Sequence, residues 1–270
     1  VSKHLLEQKT DAIVVAGTTG ESPTLTHEEE QEVLYCTKAA TSGQCKIIMG
    51  AGSNCTETAV NSSKKAQELG ADAILSVVPY YNKPSQQGMI EHFGAIAKSV
   101  DLPIILYNIQ GRTGVDMSPS TIAFLAKEYD NIVAVKQSNG NLDLISEIRM
   151  LAPDDFAIYS GDDSLTLPML SIGAHGVVSV ASHVVGAPIK SMIRNYKAGQ
   201  VVAACNMHRI LYPLFKKIFI APNPTPIKAL LSKLDIIENY VRRPLVELDE
   251  KLRLELSECL DCVLSKIENN

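Results

Sequence analysis

Residues Asn131–Asn141 read NIVAVKQSNGN and join a short apolar run to a polar loop. The β-branched run Ile132–Val135 is typical of a strand that is buried on both faces of a parallel sheet. The run ends at a single lysine, Lys136, which is followed at once by polar residues and Gly140. A lysine at such a boundary loses part of its hydration, and a desolvated amine is a common nucleophile in Schiff-base chemistry. The other interpretation is an ordinary solvated or ion-paired lysine.

Further apolar runs alternate with helical patterns along the chain, which predicts βαβ units and a parallel sheet. These runs are Ala12–Gly17, Lys46–Gly50, Ala73–Pro79, Pro103–Asn108, Phe156–Gly161 and Gly176–Ser182. Together with the run before Lys136 they give one strand fewer than a (β/α)8 barrel contains. We therefore expect an α/β TIM barrel whose first strand is missing from this chain, and a natural protein with residues before Val1. An open doubly wound sheet is the competing fold, and the lack of a G-x-G-x-x-G motif after the first run argues against it.

Polar residues at fixed spacing predict where the helices between these strands begin. Thr26 and Glu29 match a capping box. Ser118 is an N-cap candidate with proline, Pro119, at the first helical position, and Asn141 is a further N-cap candidate. Apolar residues repeat at helical spacing after each of these points, so helices are predicted to start there.

The C-terminal part of the chain lacks strand patterns and is predicted to be helical. Its predicted helices are Ile189–Ala198, Val201–Phe219, Pro224–Leu234 and Leu248–Lys266. We therefore expect a barrel domain at residues 1–187 and a helical domain at residues 188–270. Residues 222–226 (PNPTP) form a rigid connector in which Asn223 or Thr225 is free to cap the helix that follows.

The composition excludes several classes of partner. The chain has 270 residues, a net charge of -5 and a pI near 5.7, with no basic block. We therefore expect neither nucleic acid nor an anionic membrane as a partner. No apolar run approaches the ~18 residues of a membrane helix. The six cysteines make no disulfide framework, which favours the reducing cytoplasm. The histidines show no metal-ligand spacing, so we expect no metal.

In a parallel barrel the carboxyl ends of the strands carry the active site. The first run leads into Gly17–Ser22 (GTTGES), whose hydroxyls and free backbone N–H groups suit a carboxylate or a phosphate. The fourth run ends near Tyr107, whose phenol can transfer a proton, and Arg112 follows with a guanidinium suited to a carboxylate. With the amine of Lys136, this set suits a keto acid that forms an imine, loses a proton and attacks an aldehyde.

Seven motifs in register show a resemblance to a known family. They are GTTGES (17–22), VVPYYNKPSQQG (77–88), ILYNIQGRTG (105–114), VAVKQSNGNL (133–142), SGDDSL (160–165), GAHGVVSV (173–180) and PNPTPIK (222–228). The chain resembles the dihydrodipicolinate synthase family of pyruvate-dependent Schiff-base lyases, which also includes N-acetylneuraminate lyase. The resemblance implies a (β/α)8 barrel with a C-terminal helical domain, assembled as a homotetramer.

The resemblance also implies the reaction and its setting. The family condenses pyruvate with L-aspartate-4-semialdehyde in lysine and diaminopimelate biosynthesis. The lysine itself supplies the electron sink, so no cofactor is expected. The implied location is the cytoplasm, or the plastid stroma for a plant protein.

A role for each site residue follows from the same resemblance. Lys136 corresponds to the Schiff-base lysine. Three residues correspond to a proton relay: Tyr107, Thr18 and Tyr81, the last inserted from the neighbouring subunit. The others correspond to substrate contacts: Thr19 for the pyruvate carboxylate, Val178 through its backbone, Gly161 beside the imine, and Arg112 for the carboxylate of the aldehyde substrate.

Two other functions stay open beside this condensation. A sugar-acid aldolase such as N-acetylneuraminate lyase is disfavoured, because those lyases tend to carry GSTGE and to lack the arginine that corresponds to Arg112. A catalytically silent small-molecule binder on the same scaffold is disfavoured because Lys136, Tyr107, Thr18 and Tyr81 are all retained.

A feedback site for L-lysine is implied at three positions. Tyr80, Asn54 and His27 correspond to residues that bind this effector in the family. However, Glu30 replaces a histidine, and Thr58 stands where a glutamate would hold the cationic effector. We therefore expect weak or absent inhibition by lysine.

Overall fold

The computed structural model describes residues 1–269, and its centre is a seven-stranded parallel sheet. The strands lie side by side in chain order: β1 (Ala12–Val15), β2 (Lys46–Gly50), β3 (Ala73–Val77), β4 (Ile104–Asn108), β5 (Ile132–Gln137), β6 (Ala157–Ser160) and β7 (Gly176–Val177). Parallel neighbours need a crossover segment between them, and helices supply most of it here. Every predicted strand is present, and the parallel α/β class is confirmed.

The last predicted strand is shorter than expected. The prediction of a strand over Gly176–Ser182 is wrong beyond Val177. The chain turns away there because the backbone N–H groups of Val180 and Ala181 donate to the carboxylate of Asp163, at 3.0 Å each. These groups are therefore not free to extend a ladder with β6.

Short and long helices accompany the sheet. They are α1 (Ser2–Glu7), α2 (His27–Thr41), α3 (Thr56–Glu68), α4 (Gln86–Ala97), α5 (Gln110–Thr113), α6 (Pro119–Glu128), α7 (Leu142–Leu151) and α8 (Thr166–Leu170). The predicted caps are confirmed: Thr26 and Glu29 make both bonds of the capping box, and Ser118 and Asn141 each accept a backbone N–H. Sequence patterns miss α5 and α8, because helices of 4 and 5 residues are too short to show periodicity.

The two faces of the sheet are buried in different ways. On the outer face, strand residues such as Ile104 pack against the helices in the largest hydrophobic cluster. On the inner face, a separate cluster contains Leu75, Ile105, Tyr107 and Ala134, which are between 2% and 8% exposed. The members of this inner cluster come from strands and loops, not from helices. The sheet itself must therefore cover them, so it curves around the inner face.

Four helices follow the sheet: α9 (Ser182–Lys197), α10 (Val201–Lys217), α11 (Thr225–Lys233) and α12 (Glu250–Glu268). They share a second hydrophobic core. α9 begins at Ser182 rather than at the predicted Ile189, because a short first helical segment precedes a kink at Val185, where the backbone is not helical, and the longer segment follows it. The domain division between residues 187 and 188 stays a prediction, and α9 runs across it. Within residues 1–269, no helix combines the length and apolar character needed to cross a membrane.

The prediction that Asn223 or Thr225 caps α11 is wrong. Pro224 occupies the N-cap position, and no side chain of residues 1–269 caps this helix. Asn223 instead donates to Oγ1 of Thr19 at 2.9 Å, and Thr225 is buried. A residue expected to serve its local helix thus contacts the loop that follows β1.

The edges of the sheet, β1 and β7, are not paired with each other within residues 1–269. The segment before β1 is instead bonded to α9. Gln8 Oε1 accepts the Gly186 N–H at 3.0 Å, and Lys190 Nζ lies 2.6 Å from a carboxylate oxygen of Asp11. These contacts connect one edge of the sheet to the helix that follows the other edge.

Candidate active site

Lys136 and Tyr107 lie side by side on the inner face of the sheet. They are register partners on the neighbouring strands β5 and β4, and Lys136 Nζ lies 3.9 Å from the centroid of the Tyr107 ring. Tyr107 is 8% exposed, so its ring shields one side of the amine from water. The structure thus brings together the predicted nucleophile and a predicted proton donor.

A β-bulge at Val133 decides which face of the sheet Lys136 occupies. Strands β4 and β5 pair at Ile104, and then β5 carries one extra residue, Val133, without a partner. Beyond the bulge, Tyr107 pairs with Lys136. If Val133 took a regular place in the ladder opposite Ile105, Tyr107 would pair with Val135, and Lys136 would face the helices. No periodicity marks this bulge, so sequence reasoning could not find it.

Gly161 follows β6 and lies directly against Lys136. A Cβ built at Gly161 would lie 3.0 Å from Lys136 Cε and 1.7 Å from Ser138 Oγ. Any side chain at this position would therefore collide with the lysine or with the turn after it. The Gly161 N–H donates to the carbonyl of Gln137 at 2.8 Å, which fixes the turn beside the amine.

Thr18 and Thr19 lie in the loop after β1, at the same edge of the sheet as the end of β5. We call residues 17–25 the threonine loop. Its Thr19 hydroxyl oxygen accepts from Asn223 Nδ2 at 2.9 Å. The partner comes from the connector before α11, so the C-terminal region contributes directly to this part of the site.

Two ion pairs fasten the threonine loop and the start of α2 to the same C-terminal region. Lys228 Nζ lies 2.6 Å from Glu21, and these side chains are only 20% and 12% exposed. Arg242 holds Glu29 through bonds of 2.6 and 2.7 Å and donates its backbone N–H to Glu21 at 2.8 Å. The Arg242 side chain, together with the Thr26 backbone N–H, lowers the pKa of Glu29 to about 2. Sequence reasoning missed these pairs because 207 and 213 residues separate the partners.

Asp163 joins the loop after β6 to the loop after β7. Its carboxylate is 2% exposed and accepts from the Ser179 hydroxyl and from the backbone N–H groups of Val180 and Ala181. Burial raises the pKa of Asp163, and these three hydrogen bonds oppose that change. The bonds fix the chain immediately after Val178. Sequence reasoning quoted the SGDDSL motif but missed the role of this carboxylate.

Arg112 and Tyr81 line a cleft of about 690 Å³, and neither Lys136 nor Tyr107 is among the residues that line it. Tyr81 is 88% exposed and has a φ of 72°, a left-handed conformation that is rare for an aromatic residue. The lining residues are Tyr80, Tyr81, Lys83 and Gln110–Gly114. The structure thus divides the predicted site residues into an inner group around the lysine and an outer group in this cleft.

Asp116 connects the loop that carries Arg112 with the loop after Lys136. Asn108 Nδ2 donates to one carboxylate oxygen at 2.7 Å, and Asn139 Nδ2 donates to the other at 3.3 Å. Asn108 is fully buried at the end of β4. The carboxylate therefore holds the two loops at a fixed separation.

The residues implied for an effector are also divided between two places. His27, Glu30 and Thr58 line a cavity of about 350 Å³ between α2 and α3, and His27 Nδ1 lies 3.2 Å from Glu30. Tyr80 lines the outer cleft instead. Asn54 lies beside that cleft, because its carbonyl accepts from Asn82 Nδ2 at 2.9 Å.

An amine beside a phenol, at the carboxyl edge of a curved parallel sheet, is the arrangement expected of an α/β lyase of the Schiff-base type. The family model described as "Dihydrodipicolinate synthetase family" matches residues 1–262. The chain therefore belongs to this family.

Relatives and solved structures agree with this assignment. The chain is 50% identical over 258 residues to a "4-hydroxy-tetrahydrodipicolinate synthase" of Synechococcus elongatus, covering 95% of this chain and 86% of the relative. It is 48% identical over 254 residues to the protein of the same name from Bacillus subtilis, covering 94% and 88%. The crystal structure of "DHDPS from Cyanidioschyzon merolae with lysine bound" superposes with a TM-score of 0.95 at 47% identity, covering 97% and 89%.

The names of these relatives separate the predicted alternatives. They favour the synthase over a sugar-acid aldolase and over a silent binder. The prediction of a lyase of this family is confirmed.

Proposed function

We propose that the protein condenses pyruvate with L-aspartate-4-semialdehyde to give 4-hydroxy-tetrahydrodipicolinate, in lysine and diaminopimelate biosynthesis. The observation that carries the proposal is the Lys136 amine held 3.9 Å from the Tyr107 ring at the carboxyl edge of the sheet. The names of the relatives support this choice of substrates.

The chemistry begins at Lys136. Its neutral amine attacks the keto carbon of pyruvate, and loss of water gives an imine. Removal of a methyl proton converts the imine to an enamine, whose carbon attacks the aldehyde carbon of the second substrate. The amino group of the bound product then attacks the imine carbon, which closes the ring and releases the lysine. Each step needs a proton donor or acceptor, and we assign this work to Tyr107, Thr18 and Tyr81.

The remaining site residues bind the substrate carboxylates or shape the space around the imine. We assign the pyruvate carboxylate to Thr19 and to the backbone at Val178, and the carboxylate of the aldehyde substrate to Arg112. We assign Gly161 to the wall beside the imine, because the lack of a side chain there lets Lys136 and Ser138 lie against its backbone.

We also propose a homotetramer in which Tyr81 completes the site of a neighbouring subunit. A tyrosine that is 88% exposed and held at a φ of 72° is costly in a monomer, which supports a partner for it. The same family membership supports a (β/α)8 barrel as the form of this α/β fold. The six cysteines are free thiols, and this supports a location in the cytoplasm, or in the plastid stroma for a plant protein.

The first test is chemical trapping. Incubation with pyruvate followed by borohydride reduction should add one pyruvate-derived group at Lys136, located by peptide mass spectrometry. The Lys136→Ala variant should gain none, and a variant at an exposed lysine, Lys127→Ala, should behave like the parent. Turnover with aspartate semialdehyde but not with N-acetylmannosamine would then establish the synthase. A folded protein that forms no adduct would refute the proposal.

A further inference from the structure

Asn223 is a buried side chain with an unusual hydrogen-bond balance. It is 7% exposed and lies in the connector before α11. Its Nδ2 donates to Thr19 Oγ1 at 2.9 Å, while its Oδ1 is buried with no hydrogen-bond partner in residues 1–269. A buried amide placed for structural reasons normally has its oxygen satisfied as well. Within the described part of the chain, the only side-chain bond of Asn223 is the one to a site residue.

The direction of this bond fixes what the Thr19 hydroxyl can do. A hydroxyl has one hydrogen to donate and two lone pairs that accept. Because the Asn223 amide donates to Thr19 Oγ1, one lone pair is occupied and the hydroxyl hydrogen is left for another acceptor. An ionised carboxylate only accepts hydrogen bonds, and a bond from a hydroxyl to such a charged acceptor is stronger than one to a neutral acceptor.

The surrounding contacts keep the geometry of this pair fixed. Glu21, two residues after Thr19, is bonded to Lys228 at 2.6 Å and to the Arg242 N–H at 2.8 Å. Lys228 lies on the helix that Asn223 precedes. The threonine loop and the connector are therefore joined at both ends of a short segment, and the Asn223 amide cannot drift away from the hydroxyl.

We infer that Asn223 is a positioning residue that sets the Thr19 hydroxyl as a hydrogen-bond donor to the carboxylate of the keto-acid substrate. The inference rests on the proposed function, since it needs a keto acid bound at Lys136. It assigns to the C-terminal region a direct part in substrate binding. Asn223 itself need not touch the substrate.

Pyruvate trapping measures this role without the second substrate. The yield of the reduced Lys136 adduct is recorded against pyruvate concentration. Asn223→Ala should raise the half-saturating pyruvate concentration roughly 10-fold, the size expected for one hydrogen bond to a charged group. The maximal adduct yield should stay unchanged. Asn223→Asp should raise that concentration further, because a carboxylate accepts the Thr19 hydrogen and repels the substrate.

A double-mutant cycle separates positioning from a structural role. In a Thr19→Val background the hydroxyl is absent, so Asn223→Ala should add no further change in pyruvate dependence. Asn239→Ala is the matched control, because its amide donates to Glu247 at 3.0 Å on the surface of the same region. This control should leave pyruvate dependence at the parent value. Circular dichroism melting of each variant reports whether it is folded. If Asn223→Ala does not fold, Asn223→Ser takes its place in the cycle.

The outcomes distinguish the two proposals. A parent protein that traps pyruvate, with Asn223 variants that match it, would overturn the inference alone. An effect of Asn223→Ala that persists in full beside Thr19→Val would also overturn it, because the residue would then act through the fold. A parent protein without any Lys136 adduct would overturn the proposed function, and the inference with it.

Discussion

At the scale of single residues, one buried carboxylate with several hydrogen bonds shapes part of the site. Asp163 is 2% exposed, and its carboxylate accepts three hydrogen bonds, two of them from backbone N–H groups. A carboxylate can accept at several positions without donating, which suits a place where every neighbour is a donor. The carboxylate of Asp163 therefore fixes the conformation of the loop after β7.

Replacing that charge by a neutral amide should destabilise the protein. Asp163→Asn presents an NH2 group to donors, so at least one backbone N–H loses its buried partner. We expect the free energy of unfolding to fall by about 3 kcal/mol, measured by urea denaturation. Asp162→Asn is the control, because Asp162 uses one oxygen to accept from Ser164, which asparagine can also do. Equal effects of the two substitutions would contradict this account.

The pattern of side chains along the sequence predicts the residues that the chemistry requires. It does not predict the residues that position them. Lys136 and Tyr107 lie near the ends of buried strands, so their place at the same edge of the sheet could be expected, whereas the bulge that pairs them could not. Asn223 could not be placed this way, because 204 residues separate it from Thr19. Its local sequence, between prolines, instead indicated a helix cap. Contacts of this range depend on the packing of the C-terminal helices, which periodicity does not encode.

At the scale of elements, α3 and α4 meet through a buried histidine. His92 on α4 is 4% exposed, and its Nδ1 lies 2.9 Å from the hydroxyl of Thr56 at the start of α3. Its Nε2 has no hydrogen-bond partner within residues 1–269. Burial lowers the pKa of His92 from 6.5 to about 4, so the ring is neutral in the folded protein at neutral pH.

This histidine should make the free energy of unfolding decrease as the pH falls. The unfolded chain binds a proton at His92 below pH 6.5, while the folded protein does not until about pH 4. Stability from this group is therefore present above pH 6.5 and falls between pH 6.5 and 4, by about 3 kcal/mol. His92→Leu should remove that part of the slope in urea denaturation repeated across this range. An unchanged slope would show that His92 is not responsible.

The positions of the strands were predictable from sequence to within a few residues, while the early end of β7 beside the site was not. Each β-branched run forms a strand because its apolar side chains can be buried on both faces of the sheet. The last run fails after Val177 because the N–H groups of Val180 and Ala181 bond to Asp163. A strand pattern shows which side chains are apolar. It does not show that a carboxylate from another loop competes for the backbone N–H groups that a strand would use.

At the scale of the whole molecule, the division of the site into two groups bears on assembly. Tyr81 and Arg112 line the outer cleft, and Lys136 does not. If Tyr81 acts in a neighbouring subunit, the lysine and the tyrosine of one active site come from different chains. Activity then becomes a property of a pair of subunits.

Mixed assemblies should reveal this sharing. Lys136→Ala and Tyr81→Phe are each expected to lose most activity when prepared alone. Subunits exchanged between the two variants should regain activity, because some sites then combine an intact Lys136 with an intact Tyr81 from the other chain. The measurement is turnover before and after exchange, with sedimentation to verify the assembly. No recovery in verified mixed oligomers would show that Tyr81 serves its own chain or has no role.

Regulation should differ from that of a lysine-sensitive enzyme. Thr58 is uncharged and Glu30 is anionic, so the cavity they line offers poor complementarity to the ammonium and carboxylate groups of L-lysine together. We expect no inhibition at sub-millimolar lysine in steady-state assays. A Thr58→Glu, Glu30→His double variant should become several-fold more sensitive. Strong inhibition of the parent protein at low lysine concentration would contradict this expectation.

The bulge at Val133 also bears on how the gene can change. Its side chain is 38% exposed, so most substitutions there should be harmless to folding. Loss of the single codon would keep the reading frame and place Ala134 directly after Ile132, so that Tyr107 and Lys136 would still be partners in a ladder that no longer needs a bulge. In a mutational library this position should therefore tolerate both exchange and deletion. The pairing of Lys136 with Tyr107, rather than the residue at the bulge, is the property that selection has to preserve.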